Sequence, residues 1–162
     1  MKKLNTLALL LVTLLTFSLT GCKDDKEEAS PYTAFLTDGV WTGDAIYAGQ
    51  FPVTTLLTLA GQTELAEALN IKTTKFEFER DGTFTATKDG VTENGTWKFA
   101  NDENQIIISG DNLVLTGGNN EATLDILKLD DSKFNLQIDV EEMGYDPDDL
   151  QGFSTFEVRL VK

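Results

Sequence analysis

The sequence predicts an all-β domain: about eight strands in an antiparallel up-and-down barrel, with one short helix after the first strand. From about residue 40 onward, short runs alternate apolar and polar residues, and Gly, Asn or Asp separates them. A helical period is almost absent outside one segment between the first two runs. The length suits one domain with one core. A closed barrel is favoured because closure removes unpaired strand edges, and a sandwich is the alternative.

The alternation also defines the strands and the core. The predicted strands are Val40–Ala48, Ile71–Glu79, Thr83–Thr87, Thr92–Phe99, Gln105–Ser109, Asn112–Thr116, Ala122–Leu129, Lys133–Val140 and Thr155–Val161. Residues two apart share a face of a strand. The expected core therefore contains Phe76, Phe78, Trp97, Phe99, Phe134, Leu136, Ile138, Phe156, Val158 and Leu160.

The one departure from the strand pattern is the long connection from Gly49 to Asn70. Thr63 is positioned to cap a short helix over Glu64–Leu69. The connection is too apolar to be left in water. We therefore predict that it folds across one mouth of the barrel with four leucines facing inward: Leu56, Leu59, Leu65 and Leu69. It would be a mobile lid over a hollow barrel or a fixed plug in a solid one.

The first residues have the layout of a secretory signal. Lys2 and Lys3 precede an uncharged, Leu-rich run over 7–19. That run is shorter than the roughly 20 residues that a membrane-spanning helix needs, which disfavours a permanent transmembrane anchor. Residues 1–21 are therefore expected to be removed as a signal peptide.

The residues at the end of this signal, Leu19-Thr20-Gly21-Cys22, resemble the lipobox of bacterial lipoproteins. The resemblance implies that Cys22 is linked to diacylglycerol and acylated by a fatty acid such as palmitate. An ordinary thiol after a soluble export signal is the alternative. Cys22 is the only cysteine, so a disulfide within the chain is excluded.

The charged run after Cys22 predicts an acidic flexible tether over 22–35, followed by the barrel domain over 36–162. The block Cys-Lys-Asp-Asp resembles the signal that sends lipoproteins to the outside of the outer membrane in one phylum of Gram-negative bacteria. It implies an outer-membrane lipoprotein of the cell envelope, with display on the cell surface as one alternative.

Several short motifs resemble those of lipocalin-like domains of bacterial lipoproteins. Gly39-Val40-Trp41 opens the first strand, Asp81-Gly82-Thr83-Phe84 and Gly95-Thr96-Trp97 share a hairpin, and Arg159 lies in the last strand. The resemblance implies that Arg159 packs across the ring of Trp41 as a structural pair. It also implies an interior that holds a small ligand, with eight candidate residues: Leu56, Leu59, Leu65, Leu69, Phe76, Phe78, Trp97 and Phe99.

The composition argues against most kinds of chemistry. The chain has no histidine, and its single cysteine is assigned to the anchor, so zinc sites and Ser-His or Cys-His nucleophiles are ruled out. No glycine-rich phosphate loop is present. An enzyme, a cofactor and a metal are not expected. The acidic loop from Asp139 to Asp149 has the oxygens that calcium requires but lacks EF-hand spacing, so a solvated loop is favoured.

The charge also limits the partners. The net charge is −14, and loss of Lys2 and Lys3 with the signal makes it −16. Nucleic acid and anionic lipid headgroups are therefore disfavoured as ligands. We expect a monomer held at the membrane by its lipid. The expected function is binding of a small, partly apolar ligand, and the alternative is a solid barrel or surface module that recognises a protein partner. An apolar cavity of at least ~300 Å³ would favour the first.

Overall fold

A computed structural model describes residues 30–111, 119–150 and 152–162 of the chain. The expected signal peptide, Cys22 and most of the expected tether lie outside the described residues. The predicted strand Asn112–Thr116 lies outside them as well.

The elements are mostly strands that follow the predicted order. The described residues form three short α-helices: α1 (Pro31–Thr37), α2 (Val53–Leu59) and α3 (Thr63–Ala68). The strands are β1 (Val40–Ala48), β2 (Phe51–Pro52), β3 (Lys75–Phe78), β4 (Thr83–Lys88), β5 (Val91–Ala100), β6 (Gln105–Ser109), β7 (Glu121–Leu129), β8 (Lys133–Asp139) and β9 (Thr155–Val161). A 3₁₀ turn covers Pro147–Leu150.

Eight of these strands close into an antiparallel up-and-down barrel. The strands from β3 to β9 pair in chain order, and β1 pairs with both β3 and β9. Two-residue β2 only extends the edge of β1. The predicted fold class is therefore confirmed, including the short helix after the first strand. That helix is α3, and α2 precedes it.

The antiparallel meander defines two ends of the barrel. At one end, called the α1 end, lie α1 and the hairpin turns after β3, β5 and β7. At the opposite end, called the lid end, lie β2, α2, α3 and the connection between β8 and β9. In several strands alternate residues face inward and are buried, as in β9, where Phe156, Val158 and Leu160 form the buried face. The core therefore runs between the two ends.

A glycine in β1 lets the long connection cross the barrel wall. A Cβ added at Gly43 would lie 2.1 Å from the carbonyl oxygen of Ile71, so no larger residue fits without displacing that backbone. The Gly43 amide donates a hydrogen bond to the Thr74 carbonyl at 2.9 Å. The segment from Ile71 to Thr74 is therefore a crossing turn, and β3 begins at Lys75 rather than at Ile71 as expected.

Helix α1 places folded structure before the expected domain start at residue 36. Ser30 caps it, since its hydroxyl accepts a hydrogen bond from the Thr33 amide at 3.1 Å, and Pro31 occupies the first turn. Leu36 is fully buried, because the helix packs its apolar side on the barrel. The last residues of the expected tether, from Pro31 on, are therefore helical.

Candidate functional site

The interior near the α1 end is occupied by an aromatic cluster, defined as Trp41, Phe78, Phe84, Trp97 and Phe134. Phe78 stacks on Phe84 at 5.4 Å between ring centroids and meets the edge of Trp97 at 6.1 Å. Phe78 also reaches across the barrel to Phe134 at 6.0 Å. Phe134 in turn contacts Trp41 at 5.7 Å. The cluster thus joins β1, β3, β4, β5 and β8 through ring contacts in the interior.

Of the residues expected to bind ligand in the strands, three are core residues. Phe76 and Phe78 are each 1% exposed, and Trp97 is 8% exposed. Phe76 and Phe78 therefore leave almost no surface for a ligand to contact, and Trp97 leaves little. Phe99 is only partly buried and meets the edge of Trp97 at 5.2 Å. The structure therefore brings these four residues together as packing partners.

The indole N–H of each tryptophan donates a hydrogen bond inside the protein. The Trp97 indole donates to the Glu79 carbonyl at 3.0 Å, and the Trp41 indole donates to the Leu36 carbonyl at 2.9 Å. Buried indoles require such partners. Trp41 therefore joins α1 to β1, and its role is structural.

The expected contact between Arg159 and Trp41 is wrong. Arg159 alternates with the inward-facing Val158 and Leu160, so its side chain lies on the outer face of β9. There its guanidinium lies 3.9 Å above the ring of Tyr47. The cation over Trp41 is the ammonium of Lys162, at 4.6 Å from the ring centroid. Arg159 is still a structural residue, but with a different partner.

The long connection covers the mouth of the barrel, although with a different set of side chains from the expected four. Leu69 is buried, and Leu56 and Leu65 are partly buried against the core. Leu59 is 81% exposed, so its predicted inward position is wrong. The helical period explains this, because Val53 and Leu57 lie four residues apart on the buried face of α2 and Leu59 projects from the other side.

The long connection from Gly49 to Asn70, called the lid, packs in part against two residues that sequence analysis did not single out, Leu150 and Phe153. A small apolar space lies beneath α2, and its lining is Ala48, Val53, Leu56, Leu57, Leu150, Phe153 and Phe156. Its volume is 10 Å³, about the space that one water molecule requires. Ligand pockets are typically ~300 Å³ or larger. The only signal for Leu150 and Phe153 was that they are apolar residues beside an acidic loop.

Two depressions on the described part of the surface are larger. One, of 570 Å³, is an open depression lined by residues 61–65 of the lid and by Tyr145, whose pKa is raised by burial. The other, of 260 Å³, lies on the outer face of β1, next to α2 and the crossing turn at Ile71. The lining of the second includes Ile46, Leu69 and Ile71, which belong to the buried core.

The acidic loop is anchored by apolar residues. Val140 and Met143 are fully buried, while Glu141, Glu142 and Asp146 are exposed. Among the described residues, no group of three or more metal-ligating side chains is close enough to hold a metal ion. The expected membrane anchor, Cys22, lies outside the described residues. In the part of the chain that is described, no helix is long and apolar enough to span a bilayer.

Comparisons with known proteins bear on the fold alone. No family model and no curated protein matches the chain. Among solved structures, the chain is similar to a DUF4847 family protein from Bacteroides vulgatus, with 17% identity and a TM-score of 0.50 over 78% of this chain and 93% of that one. It is also similar to a lipocalin-like protein from Bacteroides uniformis, with 16% identity and a TM-score of 0.43 over 77% and 96% of the two chains.

The first of these structures shares the overall fold of this chain. Closure of β1 on β9 and a long connection after the first strand define a lipocalin-like barrel. Such a fold hosts many functions, so the function must be argued from the site.

Proposed function

We propose that the protein is a cell-envelope lipoprotein whose filled barrel recognises a partner protein through its outer surface. The observation that carries the proposal is the aromatic cluster, in which Phe78 contacts rings from β4, β5 and β8. These rings occupy the space that a ligand of a hollow barrel would take. Recognition then depends on the connections at the ends of the barrel, where sequence is free to vary without loss of the core.

The anchoring half of the proposal rests on the signal-like residues 1–21 and on Cys22. Two or three acyl chains hold a protein stably on a membrane, because each buried CH₂ contributes about 0.8 kcal/mol. We place the protein at the outer membrane, since Lys23, Asp24 and Asp25 directly follow the anchor. The proposed role is non-enzymatic, because the chain lacks histidine and its one thiol is consumed by the lipid.

Labelled palmitate tests the anchor. It should enter the wild-type protein in growing cells and should not enter the Cys22→Ser variant. Equal labelling of the two proteins would contradict the lipoprotein assignment.

Native mass spectrometry tests the filled barrel. Protein purified from its own host should show the mass of the lipidated chain alone. A small molecule bound in stoichiometric amount would overturn the proposal and return the function to a ligand carrier.

A second candidate function is the binding of a small, partly apolar ligand beneath the lid. The observation that favours it is the apolar space under α2, where Leu56 and Phe153 are only partly buried. Opening of α2 would enlarge this space. Hydrogen exchange at the α3 amides separates the two candidates: the filled barrel predicts slow exchange without ligand, and a lid predicts fast exchange that slows when a ligand binds.

A further inference from the structure

We propose that the barrel stands on the membrane with its α1 end toward the lipid, so that its lid end is presented to partners. This inference rests on the proposed anchor at Cys22. It follows from where helix α1 lies, how far Ser30 can be from Cys22 along the chain, and how charge is distributed between the two ends of the barrel.

The first described residues lie at the α1 end and are fixed there. Ser30 caps α1, and the Leu36 carbonyl of the same helix accepts the hydrogen bond of the Trp41 indole. The ammonium of Lys162 donates to the Phe35 carbonyl at 2.9 Å, which ties α1 to the end of β9. The first described residue is therefore held at one end of the barrel and cannot migrate toward the lid.

The distance from the anchor limits how the barrel can stand. Ser30 follows Cys22 by eight residues, and eight residues span at most ~29 Å. The nine residues of β1 are about 27 Å long and, at a tilt of about 40°, rise ~20 Å along the barrel axis. The lid helices add a layer of about 10 Å. To rest the lid on the membrane, Ser30 would have to lie ~30 Å above the surface, the full reach of the segment.

The charges of the two ends favour the same orientation. Carboxylates crowd the connections of the lid end: Glu64, Glu67, Asp89, Asp139, Glu141, Glu142, Asp146 and Asp148. The basic residues beside them are Lys72 and Lys88. The α1 end also has carboxylates, but Arg80, Lys128, Lys133 and Lys162 lie among them, and Lys128 pairs with Asp130 at 3.0 Å. Anionic headgroups therefore repel the lid end more strongly than the α1 end.

In this orientation, the exposed apolar residues of the lid end face away from the membrane. Phe51 is 60% exposed and Leu59 is 81% exposed, and both lie at the end that points away from the lipid. A partner protein in the surrounding space meets these side chains together with the carboxylates of the β8–β9 connection. The surface at the α1 end faces the bilayer instead.

The test uses the fact that lipidation consumes the only native thiol. Two variants of the full chain, Asp131→Cys at the α1 end and Glu64→Cys at the lid end, each carry one free thiol at an exposed position. Each lipidated protein is labelled with a donor dye and inserted into phosphatidylcholine vesicles that contain a headgroup-linked acceptor dye. Energy transfer from residue 131 should be at least twice that from residue 64. Both variants should keep the thermal midpoint of the wild type.

Matched controls separate the orientation from the anchor. Adding Cys22→Ser to each variant should abolish energy transfer at both sites. If the wild-type protein fails to float with vesicles, the anchor is wrong and the orientation falls with it. If the protein floats but transfer from residue 64 equals or exceeds that from residue 131, the anchor stands and the orientation is overturned.

Discussion

Replacement of Gly95 by alanine tests the aromatic cluster that fills the barrel. Gly95 lies opposite Phe84 in the β4–β5 pair. A Cβ at this position would lie 2.4 Å from Cε1 of Phe84 and 2.5 Å from the carbonyl oxygen of Ser109. Overpacking of this kind costs typically about 1–3 kcal/mol, and alanine recovers about 0.4–1 kcal/mol by restricting the unfolded chain. We expect a net loss of about 1–2 kcal/mol.

Thermal unfolding monitored by circular dichroism measures this effect. For a domain of this size, about 1 kcal/mol corresponds to roughly 4 °C, so the midpoint of Gly95→Ala should fall by about 4–8 °C. Thr96→Ala, an exposed neighbour on the same strand, should change the midpoint much less. The double variant Phe84→Leu with Gly95→Ala should lose less than the sum of the single changes, because leucine withdraws the ring. An unchanged or higher midpoint for Gly95→Ala would refute the proposed packing of Phe84.

Three further predictions concern the lid, the outer face of β9 and the acidic loop. Leu57→Ala should cost about 2–4 kcal/mol in chemical denaturation, whereas the exposed Leu59→Ala should stay within about 0.5 kcal/mol, and equal losses would contradict the packing of α2. Arg159 donates two hydrogen bonds to Glu157 at 2.8 Å and lowers the pKa of that carboxyl. The stability that this interaction contributes is present above the unfolded pKa of about 4.3 and is lost as pH falls through the folded value. The thermal midpoint of Glu157→Gln should therefore fall less steeply than that of the wild type between about pH 5 and pH 3. Millimolar calcium should leave the midpoint nearly unchanged, and a rise with calcium but not with magnesium would make 139–149 a metal site.

The strands could be predicted from sequence because alternation directly reports which face is buried. The predicted bounds of β1, β6 and β9 are those of the structure. The same alternation predicts that Arg159 faces outward, because its neighbours Val158 and Leu160 face inward. The family resemblance implied a contact with Trp41 instead, and for this residue the alternation gave the correct position.

The inward side chains of the lid were not all predicted correctly, because the helical period of Val53–Leu59 was not recognised. The apolar residues of 51–59 indicated a buried segment, but only a helical period over Val53–Leu59 separates buried Leu57 from exposed Leu59. Helix α1 had a local signal in Ser30-Pro31, a capping residue followed by proline, which the charged run before it obscured. The crossing at Gly43 depends on a contact with Ile71, and no local pattern reports such a contact.

The packed aromatic cluster and the exposed residues of the lid end both favour binding at the outer surface over binding in the interior. A barrel that used its interior would need inward side chains that leave a cavity, yet Phe134 contacts both Phe78 and Trp41 across it. Since these rings are held by neighbouring rings and by α1, they can move only if the core is broken. The surface residues are not constrained in this way, and the lid end combines exposed Phe51 and Leu59 with a dense set of carboxylates. Under the proposed function, substitutions at the lid end should therefore change partner binding, while substitutions in the aromatic cluster should change stability alone.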